Sequence, residues 1–276
     1  MGCRDQAERD VKCPKSLHAY ACMQKLLIES WRTTFNASFA FVAVQLAGYM
    51  VNPRDGPLAP EQPALFEMRL QQEHGCAGME RCAIVPTYDL SCSAGFDGGC
   101  PFGSVHQPHK VEVGRRVGLH LSKMLLPSNP SPTPGPAPAR VVQGPTATHI
   151  RVSPASSAGV VTGRDATGGQ RLSSFIVSVS FAGGSAPFTL RPTRNCTTCC
   201  DGSHTVDFDA SIDGQGGWAN GTSVTLDGQA KELSFKVVLP AAPKTVRHTA
   251  AAVFPQCALH NAEGLPLLPF EMATTG

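Results

Sequence analysis

The 276 residues carry a formal net charge of +2 with no basic run, so the charge pattern does not point to nucleic acid or to an anionic membrane surface as partner. No apolar run reaches the roughly 18–20 residues of a membrane-spanning helix. The length suffices for one large or two modest domains with real cores.

In chain order, Met23, Leu26, Leu27, Trp31 and Phe35 form one apolar helical stripe. Phe39 to Leu46 is a short apolar run that reads as a buried parallel-sheet strand. A second helix starts near Pro63, a favoured first-turn proline, carries Leu65, Met68 and Leu70, and ends at Gly75. Cys82 to Thr87 reads as another buried strand, and Asp89 follows at its C-terminal end, where open α/β sheets collect their ligands. The stretch Pro101 to Lys110 then leads through a Gly-containing loop onto a helix, Pro108 to Leu126, in which Val113, Val117, Leu121 and Leu125 recur every fourth residue. Alternating helices and strands argue for a doubly wound, flavodoxin-like parallel sheet with crossover helices.

Residues 127–140 hold prolines at 127, 130, 132, 134, 136 and 138, which reads as an extended spacer. Beyond it, period-two alternation at Phe175–Phe181, Val206–Ile212 and Leu233–Leu239, with Asp-Gly turns at Asp201, Asp213 and Asp227, predicts an antiparallel β-sandwich. The expected organisation is thus an α/β domain over 1–126, a linker over 127–140 and a β-sandwich over 141–276. Trp218 stands without a clustered aromatic face, which favours a buttress over a sugar-binding surface for the second domain.

The strongest candidate for chemistry is His106, because an imidazole at the rim of a sheet can take a proton from a nucleophile and return it to a leaving group. The plain alternative is a turn histidine. Asp89 at the strand end and Asp97 in the following loop are the carboxylates available to orient it, and Asp97-Gly98 also fits an ordinary turn. Ser104, two residues from His106, is poorly placed as a nucleophile, and Ser91 and Ser93 have no better claim. Cys196, Cys199, Cys200 and His204 contain one Cys-x-x-Cys pair, but no second pair completes a zinc site, and disulfides with one another or with Cys257 are favoured. The His-x-x-His spacing of His106 and His109 likewise lacks a nearby acidic ligand. Neither a metal nor a cofactor is expected.

Several ordered motifs carry a family likeness from Tyr20 to the end of the chain. They are Cys22, Trp31-Arg32-Thr33-Thr34-Phe35, Val44-Gln45-Leu46, Asp89-Leu90, Pro101-Phe102-Gly103-Ser104-Val105-His106, Val246-Arg247, Cys257, Asn261-Ala262-Glu263-Gly264-Leu265-Pro266 and Pro269-Phe270. In this respect the chain resembles the sialate O-acetylesterases, carbohydrate esterases of the SGNH-hydrolase superfamily. The sequence departs from the family pattern at Gln107 and at His248-Thr249. The resemblance implies a cofactor-free serine esterase that removes O-acetyl groups from sialic acid or a related sugar, with His106 as general base and acid; of the two carboxylates, Asp89 is the expected orienter, because a strand end is more rigidly positioned than a loop, and Asp97 the reserve. The family's nucleophile lies in an upstream Gly-x-Ser-x block that this sequence does not contain. The chain is therefore expected to supply only the second half of the site, to be nearly inactive alone, and to leave its sheet with an unpaired edge and an exposed apolar face.

Eleven cysteines and the sequons at Asn36, Asn195 and Asn220 favour a secretory history, lysosomal or extracellular, although Met1 to Ser16 contains no hydrophobic signal core. An N-terminus missing through truncation or a misplaced gene start would account for both the absent signal and the absent serine. A competing expectation, from a different class, is a catalytically dead secreted β-sandwich protein that binds glycans or proteins.

Overall fold

The structure, a computed structural model, describes residues 19–48, 63–90, 109–126, 144–155, 172–192, 207–214, 216–248 and 257–275. The first part contains helix α1 (Tyr20–Thr34), strand β1 (Phe41–Val44), helix α2 (Pro63–Cys76), strand β2 (Cys82–Val85), a 3-10 turn (Tyr88–Leu90) and helix α3 (Lys110–Leu125). As the alternation of helix and strand predicts, β1 and β2 pair in parallel, with Phe41 opposite Cys82 and Val44 opposite Val85. Helix α2 begins at the expected proline and α3 within two residues of its expected start.

The second part is antiparallel. One four-stranded sheet orders β3 (Thr146–Pro154), β4 (Ser173–Ala182), β9 (Glu232–Leu239) and β8 (Thr222–Asp227). Another orders β12 (Phe270–Ala273), β10 (Thr245–His248), β6 (Phe208–Ser211) and β7 (Ala219–Asn220), and β11 (Cys257–His260) pairs with β5 (Thr189–Pro192). Alternate residues Val177, Val179 and Phe181 of β4 and Leu233, Phe235, Val237 and Leu239 of β9 point into one hydrophobic core. There they meet Phe208 and Ala210 of β6, Val246 of β10 and Phe270 of β12, so residues of separate sheets share a single interior. The Asp227 turn between β8 and β9 is closed by its own carboxylate, which accepts from the N–H groups of Gln229 and Ala230.

The apolar stripe on α1 faces outward: Met23, Leu26, Leu27, Trp31 and Phe35 are exposed, while Gln24 and Ile28 are the residues buried. The reading of Phe39 to Leu46 as a buried strand changes. Strand β1 is only partly buried, and Val44 and Leu46 are exposed, because among the described residues no strand lies on its far edge. The prolines at 127–138 lie outside the described residues. The parts on either side of them nevertheless share buried hydrogen bonds: Tyr88 donates its hydroxyl to the Leu267 carbonyl (2.8 Å) and lies 3.2 Å from His248 Nε2.

Candidate active site

The strand-end carboxylate Asp89 sits just past β2, at the corner from which residues 91–108 depart. It is almost fully buried, and isolated burial of a carboxylate would be prohibitive. Arg116, nearly two turns into α3 on its buried side, answers it with a two-pronged ion pair, Nη1 to Oδ1 at 2.8 Å and Nη2 to Oδ2 at 2.6 Å. Arg116 Nη1 also reaches the Pro86 carbonyl, and its Nε bonds Glu112 Oε1 at 2.9 Å. From the antiparallel part, His260 Nε2 lies 3.0 Å from Asp89 Oδ2, with its Nδ1 3.0 Å from the Ala258 carbonyl. Burial alone would raise the Asp89 carboxyl, but the hydrogen bonds and charges of Arg116 and His260 more than offset it and hold it well below the usual carboxylate range. Burial opposes the Arg116 charge in the same way, and Asp89 and Glu112 outweigh it, so the guanidinium is held protonated more firmly than usual.

This network floors a cleft of about 420 Å³ lined by Leu90, His109, Arg115, Arg191, Glu263 and Gly264, among others. Arg115 is neutralised by Glu112 through two bonds of 2.7 Å and donates to the Glu263 carbonyl. Gly264 adopts φ +75° in the turn that Asn261 closes by accepting from the Leu265 N–H. A Cβ at Gly264 would fall 3.3 Å from Arg115 Nη2 and 3.4 Å from Arg191 Nη1, contacts the two flexible guanidinium ends can accommodate, so it is the left-handed backbone that favours glycine here. The arrangement offers fixed cations and histidines at a polar opening, suited to hydroxyl and carbonyl oxygens.

Of the residues singled out in sequence, Asp89 is in this network and His109, directly before α3, lines the cleft; His106 and Asp97 lie outside the described residues. Asn36 is exposed in the turn after α1 with φ +46°, and Asn220 is exposed on β7; Asn195 lies outside the described residues. The Cys196 to His204 cluster is also outside them. Cys76 and Cys82 form a disulfide between the end of α2 and the start of β2, and Cys257 is disulfide-bonded as well. Sequence reasoning missed Arg116 and His260. Arg116 falls between the apolar positions Val113 and Val117 of α3, where an amphipathic period alone expects a solvated polar face. The Asn261–Pro266 motif, which in sequence only carried the family likeness, forms one wall of the cleft through Ala262, Glu263 and Gly264.

No family model matches the chain, and no curated protein matches it. Among solved structures it is similar to a carbohydrate acetylesterase from Xanthomonas citri, at a TM-score of 0.59 and 18% identity, over 95% of this chain and 48% of that one. The chain thus has the fold of part of that enzyme and spans about half its length. Few helices, a parallel strand pair and several antiparallel sheets are compatible with an α/β esterase-like architecture.

Proposed function

We propose that the chain is the histidine-bearing part of a carbohydrate acetylesterase of the sialate O-acetylesterase type, secreted or lysosomal. The observation that carries this reading is the built cleft at the C-terminal end of β2. There a buried Asp89–Arg116–His260 network fixes both the root of the segment bearing His106 and the Gly264 loop opposite it, in a chain with the fold of part of an acetylesterase.

In the proposed reaction a serine from the half of the fold that this chain does not span attacks the acetyl carbonyl, and His106 takes the hydroxyl proton as the carbon–oxygen bond forms. The tetrahedral intermediate collapses by breaking the bond to the sugar oxygen, which leaves with the proton returned by His106. Water then attacks the acetyl-serine with the same histidine as base, releasing acetate. Backbone N–H groups stabilise the oxyanion. Asp89 shares its charge with Arg116 and His260, which weakens it as a partner for an imidazolium. We therefore give Asp97 the direct orienting role and Asp89 the role of holding the corner, the reverse of their order in sequence reasoning. The α/β fold with a β-sandwich, the linker at 127–140 and glycosylation at Asn36, Asn195 and Asn220 belong to the same proposal, and the Cys76–Cys82 disulfide supports the oxidising compartment.

The test is acetate release from O-acetylated sialic acid and from an aryl acetate by the 276-residue chain. Activity is expected to be very low, no more than the residual that binding and oxyanion effects leave without the nucleophile. Turnover by this chain that vanishes on His106→Ala would mean that another nucleophile serves, and would refute the assignment.

A further inference from the structure

A second cavity, of about 370 Å³, lies at the other end of β2 from Asp89. Its walls are the last turn of α2, the turn that joins α2 to β2, the start of β2, the last turns of α3, and Leu268 from the antiparallel part. It shares no lining residue with the cleft over Asp89. The Cys76–Cys82 disulfide closes the joining turn, and the Glu80 and Arg81 carbonyls of that turn accept from Arg32 Nη2 at 2.9 and 3.2 Å. Arg81 takes φ +54°, a left-handed conformation uncommon outside glycine, and its Nη2 reaches the Met124 carbonyl of α3. The turn is thus tied to α1 through Arg32 and to α3 through Arg81. In size the cavity falls at the lower end of the roughly 300–1,000 Å³ of small-molecule sites, and it sits between two parts of the fold, where such sites concentrate.

Three polar atoms of side chains that line this cavity are buried without a hydrogen-bond partner among the described residues: Glu73 Oε2, Arg81 Nε and His120 Nε2. Unpartnered buried polar atoms are rare in folded proteins, and three around one cavity call for a cause. His120 is only 6% exposed. Burial, with Lys123 beside it, pushes its imidazole down to about 4, so the ring is neutral near pH 7. Burial alone lifts the Glu73 carboxyl to about 7.

The three atoms differ in kind, and the difference selects a ligand. Arg81 Nε only donates, an ionised Glu73 only accepts, and a neutral imidazole nitrogen does one or the other according to its tautomer. A hydroxyl group does both, so a ligand with several hydroxyls satisfies all three. A carboxylate ligand would meet Glu73, and an ammonium ligand would meet Arg81 and Lys123, in each case at like charge. Ile84, Met124 and Leu268 offer apolar surface to a carbon framework between the polar groups. We propose that this cavity binds a small neutral polyhydroxy compound, such as a monosaccharide, with Glu73, Arg81 and His120 turning their buried polar atoms onto its hydroxyls. The site is separate from the proposed esterase cleft and stands or falls without it.

The whole chain, isotope-labelled for NMR, is titrated with three neutral sugars, D-glucose, D-galactose and N-acetyl-D-glucosamine, and with two charged ones, D-glucuronate and D-glucosamine. At least one neutral sugar is expected to saturate with a Kd of about 1–10 mM, shifting the Gly78 amide and the His120 ring signals and not those of Gly264 or His109. Both charged sugars should bind roughly tenfold more weakly. Glu73→Leu and His120→Leu should each weaken binding of the neutral sugar by a similar factor without lowering the thermal midpoint, since an apolar side chain there leaves no buried polar atom unpaired. No saturation by any neutral sugar would overturn the proposal, as would tighter binding of either charged one. So would shifts centred on Gly264 and His109, which would give the sugar to the esterase cleft, and so would unchanged affinity in both variants. Should the variants fail to fold, the charge series in the unaltered chain decides.

Discussion

The two parts of the molecule solve burial in opposite ways. In the antiparallel part, alternate apolar side chains of several strands converge on one core in which every clustered residue lies at Ala147 or beyond. In the α/β part the deepest side chains include Gln24, Gln45, Arg69, Gln72, Asp89 and Arg116, and the largest apolar stripe faces outward. Buried polar atoms without a described partner, Gln24 Oε1, Arg32 Nε, Gln45 Oε1, Glu73 Oε2, Arg81 Nε and His120 Nε2, also gather there. A region that buries amides and exposes Leu and Trp is not organised to be stable by hydrophobic area alone. It is held by hydrogen bonds to its own strand ends and by its seam with the antiparallel part.

The difference can be broken most severely at the ion pair. Arg116→Ala leaves Asp89 buried with His260 alone, and removal of one partner from a buried pair costs about 3–5 kcal/mol. Urea unfolding is expected to show this loss, with the α/β part melting ahead of the antiparallel part; a loss within experimental error would show that the pair does not hold the corner. Phe235→Ala, in the other part, is expected to cost a similar ~3–5 kcal/mol by opening a cavity beneath Phe208. Leu27→Ala on the outward stripe should change stability by no more than about 0.5 kcal/mol in the chain alone. Equal costs for Phe235 and Leu27 would mean that the stripe is covered after all.

The seam itself is pH-dependent. His248 is stacked on Phe208 with ring centroids 4.6 Å apart and holds the Asp207 carbonyl through Nδ1; burial pushes it down to about 3 from 6.5. Between those values the unfolded chain binds a proton that the folded chain refuses, so this contribution is full above pH 6.5 and is lost as pH falls towards 3. Glu73 runs the other way: burial raises it to about 7 from 4.5, so its contribution is full below pH 4.5 and is lost as pH rises through 7. Glu73→Gln should flatten the upper side of the stability profile and leave the acid side unchanged. An acid side that moves instead would contradict the assignment of Glu73 to the upper window. A smaller effect is expected at the disulfides: thiol titration of secreted protein should find one or a few free cysteines, whereas nine or more would place the chain in a reducing compartment.

What was legible in the sequence follows the same division. The period-two runs at Val177–Phe181 and Leu233–Leu239 announce their strands because one side of each is water and the other core. The α/β alternation and the Pro63 helix start were equally plain. The stripe of α1 was visible as a pattern, but its direction was not, because periodicity tells that a face is apolar and not whether anything covers it. Arg116 was illegible for a related reason: next to Arg115, which is exposed, it has the same chemistry, and only the fold decides that one of the two lies over Asp89. His260 becomes a partner of Asp89 across 171 positions of sequence, a distance at which local pattern is silent. Asp89 was found at the right corner, yet its engagement by two basic groups could be seen only in three dimensions.

The central claim, that this chain supplies the general base of an acetylesterase, is tested most directly by acetate release from O-acetylated sialic acid. The protein used is the chain completed by the serine-bearing half, compared with its His106→Ala variant. The account predicts a measurable rate in the completed protein and a fall in kcat of about 10²–10⁴ on His106→Ala, with KM little changed. A completed protein whose kcat survives the loss of His106 would contradict it.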